Sequence, residues 1–162
     1  MVPLDGSELA ESALGPTLAI AASMGAEVVL FRVAQRIPRT QKLAEMPGVY
    51  DDVVAATYRE AQDYLEAVQR RLDYDKITIE YRPASEGIAR QIWNYAASRQ
   101  IDLIIMSSHG RTGIDRWADG SVARKVLTGC TCSTLVFRGQ RLDPPQDQDM
   151  QLTHGLGGNS SE

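Results

Sequence analysis

Apolar positions along the chain fall into two rhythms, and the rhythms take turns. Residues 1–4 are short and apolar and end in Asp5-Gly6-Ser7, which predicts a central strand entering a turn. Residues 27–33 form a β-branched run apolar enough to be buried on both faces. In residues 76–82 Ile77, Ile79 and Tyr81 fall on one side, which suits a half-exposed edge strand. Residues 101–106 are the most apolar strand, and residues 134–137 a last one. Helical spacing fills the intervals. Residues 7–24 place Leu14, Leu18, Ala21 and Ala22 on one face, with Ser7 as N-cap, a kink at Gly15-Pro16 and Gly25 as the stop. Residues 51–72 carry Val54, Tyr58, Ala61, Leu65, Val68 and Leu72 three and four apart. Ser85 caps a helix whose Ile88, Ile92 and Ala96 face inward, and residues 121–127 continue helically with Val122 and Val126 one turn apart.

Two stretches break the pattern. Residues 34–50 have no clear period and contain Pro38 and Pro47, which predicts a long, partly mobile loop. From Arg138 onward Asp, Gln, Pro, Gly and Ser dominate, so residues 139–162 are expected to form a disordered tail behind one domain of residues 1–138. Strand and helix alternate five times, the signature of an α/β doubly wound parallel sheet with helices on both faces. Ligands of such sheets bind outside the carboxyl ends of the strands, where the winding reverses. Asp5 ends the first strand and Ser107 the fourth; as neighbours they would face one crevice.

Composition removes several alternatives. A chain of 162 residues with 43 % hydrophobic content fits one domain with a substantial core. A net charge of −4 gives no footprint for nucleic acid. No apolar run approaches the roughly 20 residues of a membrane-spanning helix, and the first residues are no signal peptide, so the expected location is cytoplasmic. Cys130 and Cys132 stand too close for an ordinary disulfide framework. With only His109 and His154 available they are also poor material for zinc, and read as small, half-buried residues in a reduced compartment.

The candidate chemistry lies where the most apolar strand stops: Ser107-Ser108-His109-Gly110-Arg111-Thr112-Gly113, then Asp119-Gly120-Ser121-Val122. A small-residue loop running into a helix start offers close backbone N–H groups and partial positive charge, an anion site best suited to phosphate. Ser121 alone is also an ordinary N-cap, and Arg111 an ordinary loop arginine. No carboxylate or nucleophile is tied to His109 by sequence, and Trp117 reads as a hydrophobic plug or dimer contact. No catalytic residue is expected.

The combination of Val2-Pro3-Leu4-Asp5-Gly6-Ser7, residues 102–111, Gly120-Ser121-Val122 and residues 132–136 resembles the universal stress protein family over residues 1–138. Its nucleotide-binding branch carries a Gly-x-x-Gly, nine residues, then Gly-Ser or Gly-Thr; here Gly110 is the second glycine and Gly120-Ser121 closes the pattern. The resemblance implies a five-stranded sheet ordered 3-2-1-4-5, and a homodimer formed through the last strand, Thr134 to Phe137. It also implies ATP, with Mg²⁺, between strands one and four. Pro3 and Asp5 would lie near the adenosine and the Val33 backbone at the adenine edge. Ser107, Gly110, Arg111, Gly113, Gly120, Ser121 and the Val122 amide would surround ribose and phosphates.

Three positions depart from the family pattern. Ser107 stands where the first glycine belongs. Asp119 precedes Gly120 where an apolar residue is expected; beside phosphates it either points to solvent or bridges through Mg²⁺. The first strand begins at Met1, where relatives have a few preceding residues, so it is either short or its start lies upstream. The resemblance implies an ATP-binding regulatory protein whose loop order and contacts with an unidentified protein partner depend on nucleotide. A slow ATPase and a nucleotide-free dimeric interaction protein are the alternatives. The phosphate loop of Gly-x-x-x-x-Gly-Lys-Ser/Thr type is absent.

Overall fold

A computed structural model describes residues 1–34, 37, 46–83, 87–108 and 122–137. The chain runs β1 (Val2–Pro3), α1 (Glu8–Glu11), α2 (Leu14–Met24), β2 (Val28–Ala34), α3 (Pro47–Arg71), β3 (Ile77–Pro83), α4 (Ile88–Ser98), β4 (Leu103–Ser107), α5 (Val122–Gly129) and β5 (Ser133–Phe137). All strand pairs are parallel: β1 with β2, β2 with β3, and β4 with β5. This is an α/β fold of parallel strands and helices.

The ladders, however, are two and not the single continuous one expected: β1-β2-β3 and β4-β5 among the described residues. Proline explains the division. The Met1 ammonium donates to the Leu103 carbonyl at 2.8 Å and the Ile105 amide to the Met1 carbonyl at 3.0 Å, so β1 begins a parallel pairing with β4. Donors alternate sides along a strand; Leu4 sends its amide to the Phe31 carbonyl on β2 at 2.8 Å, which leaves residue 3 to donate toward β4. Residue 3 is proline and has no N–H. The ladder loses a donor there. Burial at this seam also pushes the Met1 ammonium down to about 6 from its usual 8.0.

Two cores cover the two faces, and both cross the seam. On one, Val2, Leu4, Val28, Leu30, Ile77 and Ile105 pack with Leu14 and Ala21 of α2 and Leu65 and Val68 of α3. On the other, Met1, Phe31, Ile104 and Met106 pack with Ile92, Tyr95 and Ala96 of α4 and Ala123 and Val126 of α5. Successive residues Ile104, Ile105 and Met106 thus alternate between cores, as strand geometry requires.

Several helix expectations need correction. The first helix is not one kinked rod: α1 ends at Glu11 and α2 starts at Leu14. A proline ring clashes with the carbonyl four residues earlier, so the break at Ser12 and Ala13 leaves Pro16 in a first turn, where it is tolerated. Ala22 is exposed, the buried stripe being Leu14, Thr17 and Ala21. Pro47 opens α3 at its first helical position, which extends that helix four residues ahead of the expected start. Ile88 is 47 % exposed, because α4 buries the stripe Ala89, Ile92, Tyr95 and Ala96. Gly87, at φ +90°, precedes α4 as its N-cap residue; Ser85 lies outside the described residues. So does the tail, residues 139–162.

Candidate functional site

Asp5 follows β1 at the carboxyl edge of the sheet. Its Oδ1 accepts the Ser7 amide at 3.0 Å and the Ser7 hydroxyl at 2.6 Å, while Ser7 Oγ accepts the Ala10 amide at 3.1 Å as N-cap of α1. The loop from strand to helix is thereby fixed by its own side chains, with the Asp5 carboxylate oriented. Pro3 stands inside β1, half-buried. Ser107 closes β4 and is buried, opposite Phe137 of β5. The next amide, Ser108 N–H, donates to the Phe137 carbonyl at 2.7 Å. Because Met1 pairs in parallel with β4, Asp5 and Ser107 leave their strands at the same edge.

Val33 lies one residue before the end of β2, paired with Arg82 of β3 and packed against the second core. Val122 is the first residue of α5, half-buried against that same core. Gly110, Arg111, Gly113, Asp119, Gly120 and Ser121, together with His109 and Trp117, lie outside the described residues. Asp119 was the expected Mg²⁺ ligand; among the described residues no cluster of three His, Cys, Asp or Glu could hold a metal.

Sequence reasoning passed over a polar cluster next to this edge. Arg32, one residue before Val33, is only 5 % exposed; its guanidinium donates to Glu60 at 2.7 Å and lies 4.4 Å from the centre of the Tyr64 ring. Tyr64 donates to Glu11 at 2.9 Å, and Arg71 pairs with the other oxygen of Glu11 at 2.9 Å. Arg32 Nη1 is buried without a hydrogen-bond partner. Burial, then the bond to Glu11 and its charge, push the Tyr64 hydroxyl far above its usual range, with Asp5 adding a smaller push. The signal was available: one arginine inside the apolar run Val28–Ala34. A buried guanidinium needs a carboxylate, and Glu60 of α3 supplies it. A shallow depression lined by Gly25, Tyr74 and Lys76 lies instead at the amino ends of β2 and β3, away from this edge.

Among the described residues this edge carries the Asp5 carboxylate and the Ser107 and Ser108 hydroxyls, and no described group there is paired as nucleophile and base. Comparison with known proteins agrees in fold. The model of the universal stress protein family matches residues 1–138. A universal stress protein of Methanocaldococcus jannaschii is 30 % identical over 139 residues, covering 85 % of this chain and 80 % of that protein. One of Bacillus subtilis is 26 % identical, covering 85 % and 97 %. The solved universal stress protein UspA from Lactobacillus plantarum superposes with a TM-score of 0.70 at 25 % identity, over 85 % of this chain and 94 % of its own. A universal stress protein solved in complex with cAMP shares the fold, with a TM-score of 0.53 at 22 % identity over 86 % and 94 %. With its parallel α/β layer and a family match from the first residue to Arg138, this chain belongs to the universal stress protein family.

Proposed function

We propose that the protein is a dimeric, cytoplasmic, ATP-binding regulator of the stress response, with the nucleotide over the carboxyl ends of β1 and β4. The observation that carries this is the exit of Asp5 and Ser107 from the sheet at one edge, with Val122 as the first residue of α5. In this reading the two ladders act as one layer in the order β3-β2-β1-β4-β5. Asp5 and Pro3 meet the adenosine, and the Val33 backbone meets the adenine edge. Ser107, Gly110, Arg111, Gly113, Gly120, Ser121 and the Val122 amide take ribose and phosphates. Amides at a helix start and a serine hydroxyl suit phosphate oxygens, and Arg111 adds a charge-assisted bond. A universal stress protein of the same fold was solved in complex with cAMP, which makes a nucleotide a fitting ligand class for this reading. Asp119 would reach the phosphates only through Mg²⁺.

The edge of β5 supports the dimer in this reading. It pairs with β4 alone among the described residues, and Leu135 is 38 % exposed on it, so the segment from Thr134 to Phe137 offers an unpaired apolar edge. A nucleotide-free dimeric interaction protein is the second reading, favoured by Ser107, whose buried side chain occupies the position of a family glycine. The test is to denature the purified protein and identify the released nucleotide by chromatography. ATP near one per chain is expected. ADP accumulating from added ATP would make the protein an ATPase. Nothing bound, with no rise in melting temperature in millimolar MgATP, would leave the nucleotide-free reading.

A further inference from the structure

Cys130 and Cys132 bracket the turn between α5 and β5. The Cys130 amide still donates to the Val126 carbonyl at 2.9 Å, extending the helix, while Cys132 immediately precedes Ser133, the first residue of β5. Both thiols are free and half-buried, packed against the edge of the second core. Their sulfurs stand 3.1 Å apart. That is closer than two sulfurs rest in ordinary van der Waals contact, and a bond between them requires an approach of only about 1 Å to the ~2.05 Å of a disulfide. Trp93 packs against the end of α5 just before this turn: a Cβ added at Gly129 would lie 2.2 Å from its Cζ2, so ring and backbone are in direct contact there.

We propose that Cys130 and Cys132 form a modification site, a dithiol that a hydroperoxide converts to an intramolecular disulfide. This stands apart from the nucleotide reading and depends on none of its residues. The half-exposed sulfurs admit a molecule the size of hydrogen peroxide more easily than a protein disulfide. In the first step the Cys130 thiolate attacks one peroxide oxygen; an S–O bond forms, the O–O bond breaks, and the departing hydroxide takes up a proton as water. In the second, the Cys132 sulfur attacks the Cys130 sulfenic acid. The S–S bond forms, the S–O bond breaks, and hydroxide leaves with the Cys132 proton as a second water. The two thiols lose two electrons and the peroxide gains them.

The order follows from the surroundings of Cys132. Burial and its hydrogen bond to Cys130 push this thiol up to about 11, so it keeps its proton until the second step. A loop of so few residues removes little chain entropy, so the bond serves as a chemical record at the turn rather than a staple.

Trypsin releases both cysteines in one peptide, residues 126–138, between Lys125 and Arg138. After hydrogen peroxide, that peptide is expected to lose the mass of two hydrogens, resist alkylation, and regain both on reduction. Full alkylation after treatment, oxygen added without a disulfide, or a disulfide joining two chains would each overturn the proposal. In Cys132→Ser a 1,3-dicarbonyl probe for sulfenic acid is expected to label Cys130. In Cys130→Ser, where burial still raises the Cys132 thiol, labelling of Cys132 is expected to fall below that at neutral pH. Equal or reversed labelling would overturn the assigned order.

Discussion

The two sides of β1 are built differently. Toward β2 the strand is laddered, Val2 opposite Leu30 and Pro3 opposite Phe31, and Leu4 adds a further backbone bond. Toward β4 the described backbone bonds run through Met1, and Pro3 contributes no donor. Yet side chains bridge this second side too: Val2 and Leu4 share a core with Ile105 on one face, and Met1 with Ile104 and Met106 on the other. One side of the central strand is held by hydrogen bonds and packing together, the other mainly by packing. Asp5 and Ser107 leave the sheet above the second. A ligand spanning both strand ends would therefore add contacts where the backbone supplies fewest.

The contrast is broken most directly by removing packing at the seam. Ile104 is fully buried, and Ile104→Ala is expected to cost about 2–5 kcal/mol in denaturant unfolding. Ile79, partly buried on the edge strand β3, should cost less on the same change. Equal losses would mean that the seam is not specially dependent on its side chains.

The laddered side has its own vulnerability in Arg32. Glu60→Gln leaves the buried guanidinium without its charged partner, a loss of about 3–5 kcal/mol for a fully buried pair. Glu60 is 59 % exposed, so water should reduce this to roughly 1–2 kcal/mol after solvent screening. Arg32→Met removes the charge and should cost less than Glu60→Gln, because it leaves no stranded cation. The reverse ranking would show that the guanidinium contributes mainly through its stacking on Tyr64.

A smaller change sharpens the contrast. Pro3→Val gives residue 3 the missing donor, and a typical bond of this kind contributes about 0.5–1.5 kcal/mol. Loss of proline also frees the unfolded chain by about 0.4–1 kcal/mol, so melting should barely move. The amide at position 3 should nevertheless exchange slowly with deuterium. A freely exchanging amide would contradict the proline explanation of the split ladder.

The smallest effect concerns pH at the far end of β5. The Cys132 thiol is raised from 9.0 to about 11 in the fold, so the folded state binds more protons between these values. Its contribution is complete below pH 9 and is lost as pH rises through about 11. Comparing the chain with Cys132→Ser over that window should show a steeper alkaline loss in the unsubstituted protein.

Much of the fold was legible because alternating apolar periods survive any reasonable tertiary context. Each strand and helix segment described here overlaps an expected one. What was missed has identifiable physical causes. Pro3 was visible as a residue without a donor, but which neighbour it faces depends on pairing register. Pro16 marked trouble in the first helix, but its steric reach extends four residues back, which moved the break to Ser12 and Ala13. Ala22 and Ile88 obeyed helical spacing and still lie exposed, since spacing fixes a face and not where it ends. Arg32 was legible as a charge inside a buried strand; its partners, 28 and 32 residues further along in α3, were not. Near the site, β4 ends at Ser107 as expected and β1 ends at Pro3, two residues before Asp5, while the loop glycines, Arg111 and Ser121 rest on their spacing alone.

The most direct test is an equilibrium titration of ATP into the nucleotide-stripped protein with Mg²⁺, repeated with Asp5→Ala and Ser121→Ala. In the proposed complex these residues would contact opposite ends of the ligand. Saturation near one ATP per chain is expected, with each substitution weakening binding roughly tenfold or more, as loss of a charge-assisted hydrogen bond of about 1.5–3 kcal/mol implies. No saturable binding, or binding indifferent to both substitutions, would contradict a nucleotide held between the end of β1 and the start of α5.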